Sequence, residues 1–212
     1  RSIMVKHLIK IFCVTLIIFY SNQIFSSTND ITVRELITGD QENLHLRILK
    51  AIPEDGQISI GPKDAKNIII EFFDYKCGYC VKMHPELVEL ANTRDDTRVI
   101  FLQLPILSKS SVKLAKLVLA AKYQGKGFEI HHALLTQQGS LTDEKINKII
   151  IDAKLDSEKI RKDLERPEID EALSITSFIG NGIGARGTPA VFINDKFNPG
   201  YVPKTVIEQL LE

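Results

Sequence analysis

The 212-residue chain has no tryptophan, two methionines and three cysteines. Three cysteines cannot build the disulfide framework that small secreted scaffolds rely on, so a hydrophobic core must hold the fold. An excess charge of either sign is also missing, because Lys plus Arg and Asp plus Glu number 27 each. With no net charge and no basic stripe, a nucleic-acid partner is not expected. Long apolar runs are absent too: the stretch from Ile11 to Tyr20 is about half of the roughly 20 residues a bilayer span needs. There is no internal repeat and no low-complexity tract. What is present, 44% apolar and 25% charged residues, suits one globular domain with a real core.

The first 26 residues differ from the rest. Arg1, Lys6, His7 and Lys10 precede the apolar run, and the small residues Ser26 and Ser27 follow it. This is the layout of a secretory signal peptide, expected at 1–26 and cleaved, with an uncleaved anchor as the alternative. Its removal takes away Arg1, Lys6 and Lys10 and leaves a mildly acidic mature chain. Cys13 leaves with it, and only Cys77 and Cys80 remain. A disulfide closing so short a loop constrains the unfolded chain little, so the pair is better explained by reactivity than by stapling.

Residues 27–60 are polar and turn-rich and read as an N-terminal extension, with a helix around Gln41 to Lys50 and a short extended piece at Gln57 to Ile60. After the turn at Gly61, Pro62 and Asp64, the apolar run Asn67 to Phe73 predicts a buried strand. It leads into the cysteines. A helix follows from Gly78 to about Asn92, with Val81, Met83, Leu87, Val88 and Leu90 available for its buried face, and then a second strand from Arg98 to Leu104. Strand, helix and strand form a βαβ unit. Gly187-Thr188-Pro189 precedes another strand, Ala190 to Ile193, a turn at Asn194-Asp195, and a hairpin partner near Phe197 to Tyr201. Pro203 can open a last helix.

Between these parts, at about 106–186, only helical patterns occur. Leu114, Leu117, Val118 and Ala121 share a helix face, as do Ile146, Ile149, Ile150 and Ala153, and Ile169, Ala172, Leu173 and Thr176. Thr142 and Pro167 supply helix starts; Gly180, Gly182 and Gly184 supply a stop. The expected fold is α/β, with residues 61–212 forming a sheet domain interrupted by a helical insertion.

At pH 7 a thiol of ordinary pKa, about 8.5, is only a few per cent thiolate, and thiolate is the attacking species. Cys77 stands where a strand gives way to a helix, so unpaired N–H groups and the positive helix end face its sulfur. Cys80, one turn further in, is expected to be more buried and to act as the resolving thiol. Stabilising the thiolate makes the disulfide form more oxidising. Roughly 30 mV corresponds to about 1.4 kcal/mol, and the uncharged Gly78 and Tyr79 tune this without fixing the potential.

The segment Glu71-Phe72-Phe73-Asp74-Tyr75-Lys76-Cys77-Gly78-Tyr79-Cys80, with Thr188-Pro189 before a strand and the helical insertion, resembles the DsbA-like branch of the thioredoxin superfamily, close to its Com1-type bacterial members, over about residues 57–212. The resemblance implies a thioredoxin-like fold, Cys77 as nucleophile and Cys80 as resolving cysteine. It implies that Glu71 accepts or relays protons, that Pro189 is cis, and that Thr188 offers backbone hydrogen bonds to an extended substrate beside Gly78 and Tyr79. Oxidases of this family often carry a histidine where Tyr79 stands, so strongly oxidising character does not follow from the dipeptide. The implied activity is that of an exported, periplasmic thiol-disulfide oxidoreductase, free or associated with the outer membrane, which introduces disulfides into cysteine-containing secreted proteins. A membrane redox partner would reoxidise or reduce the pair. The alternative is an isomerase or reductase that forms a homo-oligomer through residues 27–60; a third reading, from another class, is a surface or adhesion protein that merely keeps the fold.

Blander readings stand beside these. Cys77-x-x-Cys80-x-x-x-His84 has the spacing of half a zinc site, but no second cysteine pair exists, and neither a metal nor a cofactor is expected. His84-Pro85 reads as a helix kink rather than a catalytic base, and His131 and His132 as surface or partly buried helix residues. Strand alternation leaves open whether Glu71 faces solvent. The glycines from Gly180 to Gly187 lack the preceding strand and the Gly-Lys-Ser/Thr of a phosphate loop.

Overall fold

A computed structural model describes residues 43–211. The expected signal peptide and residues 27–42 of the expected extension lie outside the described residues. The centre of the fold is β2 (Asn67–Phe73), whose sequence NIIIEFF is buried at every position. It has neighbours on both edges: β3 (Thr97–Gln103) runs parallel to it, with Ile70 opposite Ile100, and β4 (Ala190–Ile193) antiparallel, with Ile70 opposite Phe192. A strand covered on both faces needs a continuous apolar run, which this sequence supplies. The hairpin partner β5 (Lys196–Asn198) flanks β4, and β1 (Gln57–Ile60) flanks β3, giving the order β1-β3-β2-β4-β5.

The extended piece read at Gln57 to Ile60 is β1, an edge strand of this sheet. Gln57 to Ile60 pair antiparallel with Val99 to Leu102. The Gln57 side-chain amide also donates to the carbonyls of Leu49 and Ile52, which ties α1 (Leu44–Ala51) to this edge. Gly61 ends the strand at φ +97°, and a Cβ there would lie 2.4 Å from the Thr97 carbonyl oxygen, so only glycine fits.

From β2 the chain enters α2 (Gly78–Thr93) and returns as β3, completing the βαβ unit. Met83, Leu87 and Leu90 face the core; Val81 is exposed instead, because it lies on the side of the first turn that faces outward. The insertion comprises α3 (Lys109–Lys122), α4 (Gly127–Thr136), α5 (Asp143–Asp152), α6 (Ser157–Asp163) and α7 (Pro167–Gly182). Side chains of Ser108, Thr142 and Asp156 accept hydrogen bonds from the N–H groups of Ser111, Lys145 and Lys159, capping three of these helices. Pro167 opens α7 at a position where its missing N–H costs nothing. One continuous core joins Ile69, Phe73 and Phe101 of the sheet to Leu87 of α2 and to Leu114, Val118 and Ile130 of the insertion. Each such fully buried side chain contributes roughly 2–3 kcal/mol of transfer free energy.

Two expected boundaries shift. Gly180 does not stop α7 but lies within it, packed on Leu104 and Phe72, and the turn beyond the helix uses Gly184 at φ +84°. Pro203 precedes α8 (Lys204–Leu210) as its cap residue. In the β4–β5 turn Asn194 is left-handed at φ 52°; its Oδ1 accepts from the Ile68 N–H at 2.9 Å and its Nδ2 donates to Asn67 Oδ1 at 3.0 Å. The hairpin is thereby fastened to the start of β2. No helix among the described residues is long and apolar enough to cross a membrane.

Candidate active site

Cys77 occupies the N-cap of α2 in an extended conformation, and its carbonyl accepts from the Val81 N–H. Both cysteines are free thiols, and Cys80 is completely buried. The Thr188–Pro189 peptide bond is cis, and the Thr188 carbonyl oxygen lies 3.0 Å from the Cys77 sulfur, accepting from its S–H. The structure therefore brings Cys77, Cys80, Thr188 and Pro189 together at the neighbouring ends of the paired strands β2 and β4. Gly78 opens the helix with free space where a Cβ would be, and Tyr79 is 62% exposed beside Tyr201, their ring centroids 6.0 Å apart.

The two sulfurs have opposite electrostatics. The Cys80 thiol donates toward Cys77 and is the largest influence bringing Cys77 down to about 5. Burial works against this, while the Thr188 side chain and the backbone N–H groups of Cys80 and Tyr79 add to it. Apart from this, the Thr188 hydroxyl has no fixed partner. Burial pushes Cys80 well above an ordinary thiol; the hydrogen bond it gives to Cys77 and the charge of Glu71 push it in the same direction. One thiolate and one retained proton is the distribution that this pair favours.

Glu71 does not face solvent. It lies in the middle of β2, opposite Phe101 and Val191, and is fully buried with no ordinary hydrogen-bond partner for either carboxyl oxygen. Burial raises it to about 8; the Cys80 thiol offsets part of that rise, and the charge of Cys77 adds to it.

Sequence reasoning missed Asp74, Tyr75 and the histidines. Asp74 is 1% exposed, and its carboxylate accepts from the N–H of Lys76 at 2.8 Å and of Leu107 at 2.9 Å. An Asx turn is a readable signal for the first of these bonds, not for the second. His131 is wholly buried, in contrast to the surface or partly buried position expected of it. Its Nδ1 bonds the Tyr75 hydroxyl at 2.9 Å, and Gln103 donates to the same hydroxyl at 3.3 Å. His84 Nε2 and His132 Nδ1 are 2.9 Å apart, so the histidine considered as a zinc partner of the cysteines is engaged with the insertion instead. Burial lowers His84 to about 3 and His131 well below the ordinary imidazole value.

The family model of the DSBA-like thioredoxin domain matches residues 68–212, more than half the chain. The chain belongs to this family. Among solved structures, this DSBA-like chain is similar to a thioredoxin-like oxidoreductase from Silicibacter pomeroyi (27% identity, TM-score 0.70, covering 74% of this chain and 91% of that one). It is also similar to the thiol-disulfide exchange protein alpha-DsbA2 from Wolbachia pipientis (25% identity, TM-score 0.69, 86% and 95% covered). A probable disulfide bond formation protein D from Bacillus cereus is 28% identical over 159 residues, 68% of this chain and 74% of that protein. The Na(+)/H(+) antiporter NhaA of Herminiimonas arsenicoxydans is 26% identical over 153 residues, and there the DSBA-like chain spans only 24% of the relative's length.

Proposed function

We propose that this DSBA-like protein is an exported thiol-disulfide oxidoreductase that introduces disulfides into cysteine-containing secreted proteins. The observation that carries the reading is the asymmetry of the dithiol: Cys77 is brought down to about 5 while Cys80, buried beside it, is pushed up. A thiolate stabilised in the reduced state makes the Cys77–Cys80 disulfide a good oxidant.

In the forward direction a substrate thiolate attacks Cys77 Sγ of the disulfide, the S–S bond breaks, and Cys80 leaves as a thiolate. Cys80 takes up a proton, with Glu71 as the neighbouring acid. A second substrate thiolate then attacks the substrate sulfur of the mixed disulfide and releases the Cys77 thiolate. Two electrons pass from the substrate dithiol to the enzyme. Thr188, beside the cis Pro189, supplies backbone groups next to the mixed disulfide, with Gly78 and Tyr79 on the helix side. The basic start and the apolar run from Ile11 to Tyr20 support export through a signal peptide to the periplasm, where a membrane redox partner would restore the disulfide.

The test is disulfide exchange with a reduced protein substrate. Cys77→Ser is expected to abolish turnover and Cys80→Ser to accumulate mixed disulfides. Full exchange activity in Cys77→Ser would defeat the reading.

A further inference from the structure

We propose that Asp74 is a positioning residue for the thiol chemistry: its buried carboxylate clamps the turn that delivers Cys77 to the segment that follows β3. The inference rests on the reading above only in taking Cys77 as the attacking thiol. Three residues separate the end of β2 from the N-cap of α2, and Asp74 fixes that turn at several points. Its carbonyl accepts from the Cys77 N–H at 3.0 Å, its Oδ1 from the Lys76 N–H at 2.8 Å, and its Oδ2 from the Leu107 N–H at 2.9 Å. The residue therefore touches the backbone on either side of the peptide before Cys77 and a loop that arrives from 33 residues further along the chain.

A turn of this kind does not need a charge. Serine or asparagine caps turns as readily, and a carboxylate at 1% exposure loses most of its hydration. A negative charge three residues from a thiolate also opposes ionisation of the sulfur. Both considerations make an aspartate unfavourable here unless its geometry is worth more. Two acceptor oxygens, diverging toward two different segments, are what a carboxylate provides and a hydroxyl does not. The second bond has a visible consequence, because it holds Leu107, 52% exposed, and its neighbour Ile106, 46% exposed, against the turn that carries the nucleophile.

Titration of the Cys77 thiolate by its ultraviolet absorbance, in the full reduced protein, tests the proposal without any protein substrate. Failure of the oxidoreductase reading would instead appear as an inactive wild type in the exchange assay. Asp74→Asn keeps one acceptor oxygen and Asp74→Ala keeps none. Loosening the turn is expected to raise the Cys77 pKa by about one unit in Asp74→Ala, with Asp74→Asn between it and the wild type. If charge alone mattered, both variants would move down together, and that result, or no shift in either folded variant, overturns the proposal. Amide exchange in the reduced wild type gives a second measurement should the variants not fold. Protection of the Lys76 and Leu107 amides by about 100-fold over the unstructured rate supports the clamp, and free exchange at either overturns it.

Discussion

Glu71 and Cys80 are buried against one another, and the charge of the carboxylate helps to keep the thiol protonated. With both carboxyl oxygens unpaired, Glu71 has only the Cys80 thiol to offset the cost of its burial. In the mechanism proposed above, Glu71 would hand a proton to Cys80 when that sulfur leaves.

Glu71→Gln removes this donor. Turnover in the disulfide-exchange assay is expected to fall by roughly 10²-fold, and the pH dependence near 8 should vanish. Stability moves the other way. The folded pKa of about 8 exceeds the ordinary 4.5, so the unfolded state releases its proton first and stability declines as pH rises from about 4.5 to about 8. At pH 7 the glutamine variant is expected to be more stable by something on the order of 3 kcal/mol, read from denaturant titrations. A variant equal to wild type in both rate and stability would contradict this account.

Alkylation of the reduced protein reads Cys77 directly. Its rate should reach half of its plateau near pH 5. Since the Cys80 thiol is the largest influence on Cys77, Cys80→Ala should move the half-point upward. An unchanged profile in that variant would assign the low value to the helix end alone.

The buried histidines make the protein acid-sensitive. His84 and His131 are lowered by burial and by neighbouring imidazoles, so the unfolded chain binds protons that the folded one refuses once pH falls below about 6.5. Stability is expected to drop by roughly 2 kcal/mol between pH 7 and pH 5 from His84, with His131 acting in the same direction. His131→Phe should flatten the curve of melting temperature against pH, leaving Gln103 as partner of the Tyr75 hydroxyl. Equal slopes in wild type and variant would place the sensitivity elsewhere.

Gly61→Ala is expected to destabilise the fold by roughly 2–3 kcal/mol, because it combines a positive φ with a Cβ contact of 2.4 Å to backbone. Gly125→Ala makes a useful contrast: its φ of +72° is similar, but nothing lies within 4 Å of the added carbon. The difference between the two melting temperatures isolates the clash.

The central strand, the helix after the cysteines and the faces of α3 and α7 were legible because burial on both sides, or at helical spacing, writes itself directly into residue order. Local capping was legible for the same reason: Thr142 stands beside the N–H it satisfies, and Pro167 occupies a helix start that needs no N–H. Contacts between distant segments left no such trace. Nothing near His131 in the chain announces that Tyr75 will meet it, and nothing near Asp74 announces Leu107. The face taken by Glu71 was undecidable from alternation, since a strand buried on both sides has no polar side to compare.

The Cys77 sulfur and the Thr188 carbonyl that caps it are 111 positions apart in the chain. A polypeptide being made therefore presents both cysteines well before the Thr188–Pro189 segment that faces Cys77 has appeared. Until β4 joins the sheet, Cys77 has Cys80 and the first turn of its helix beside it but lacks the contact from Thr188.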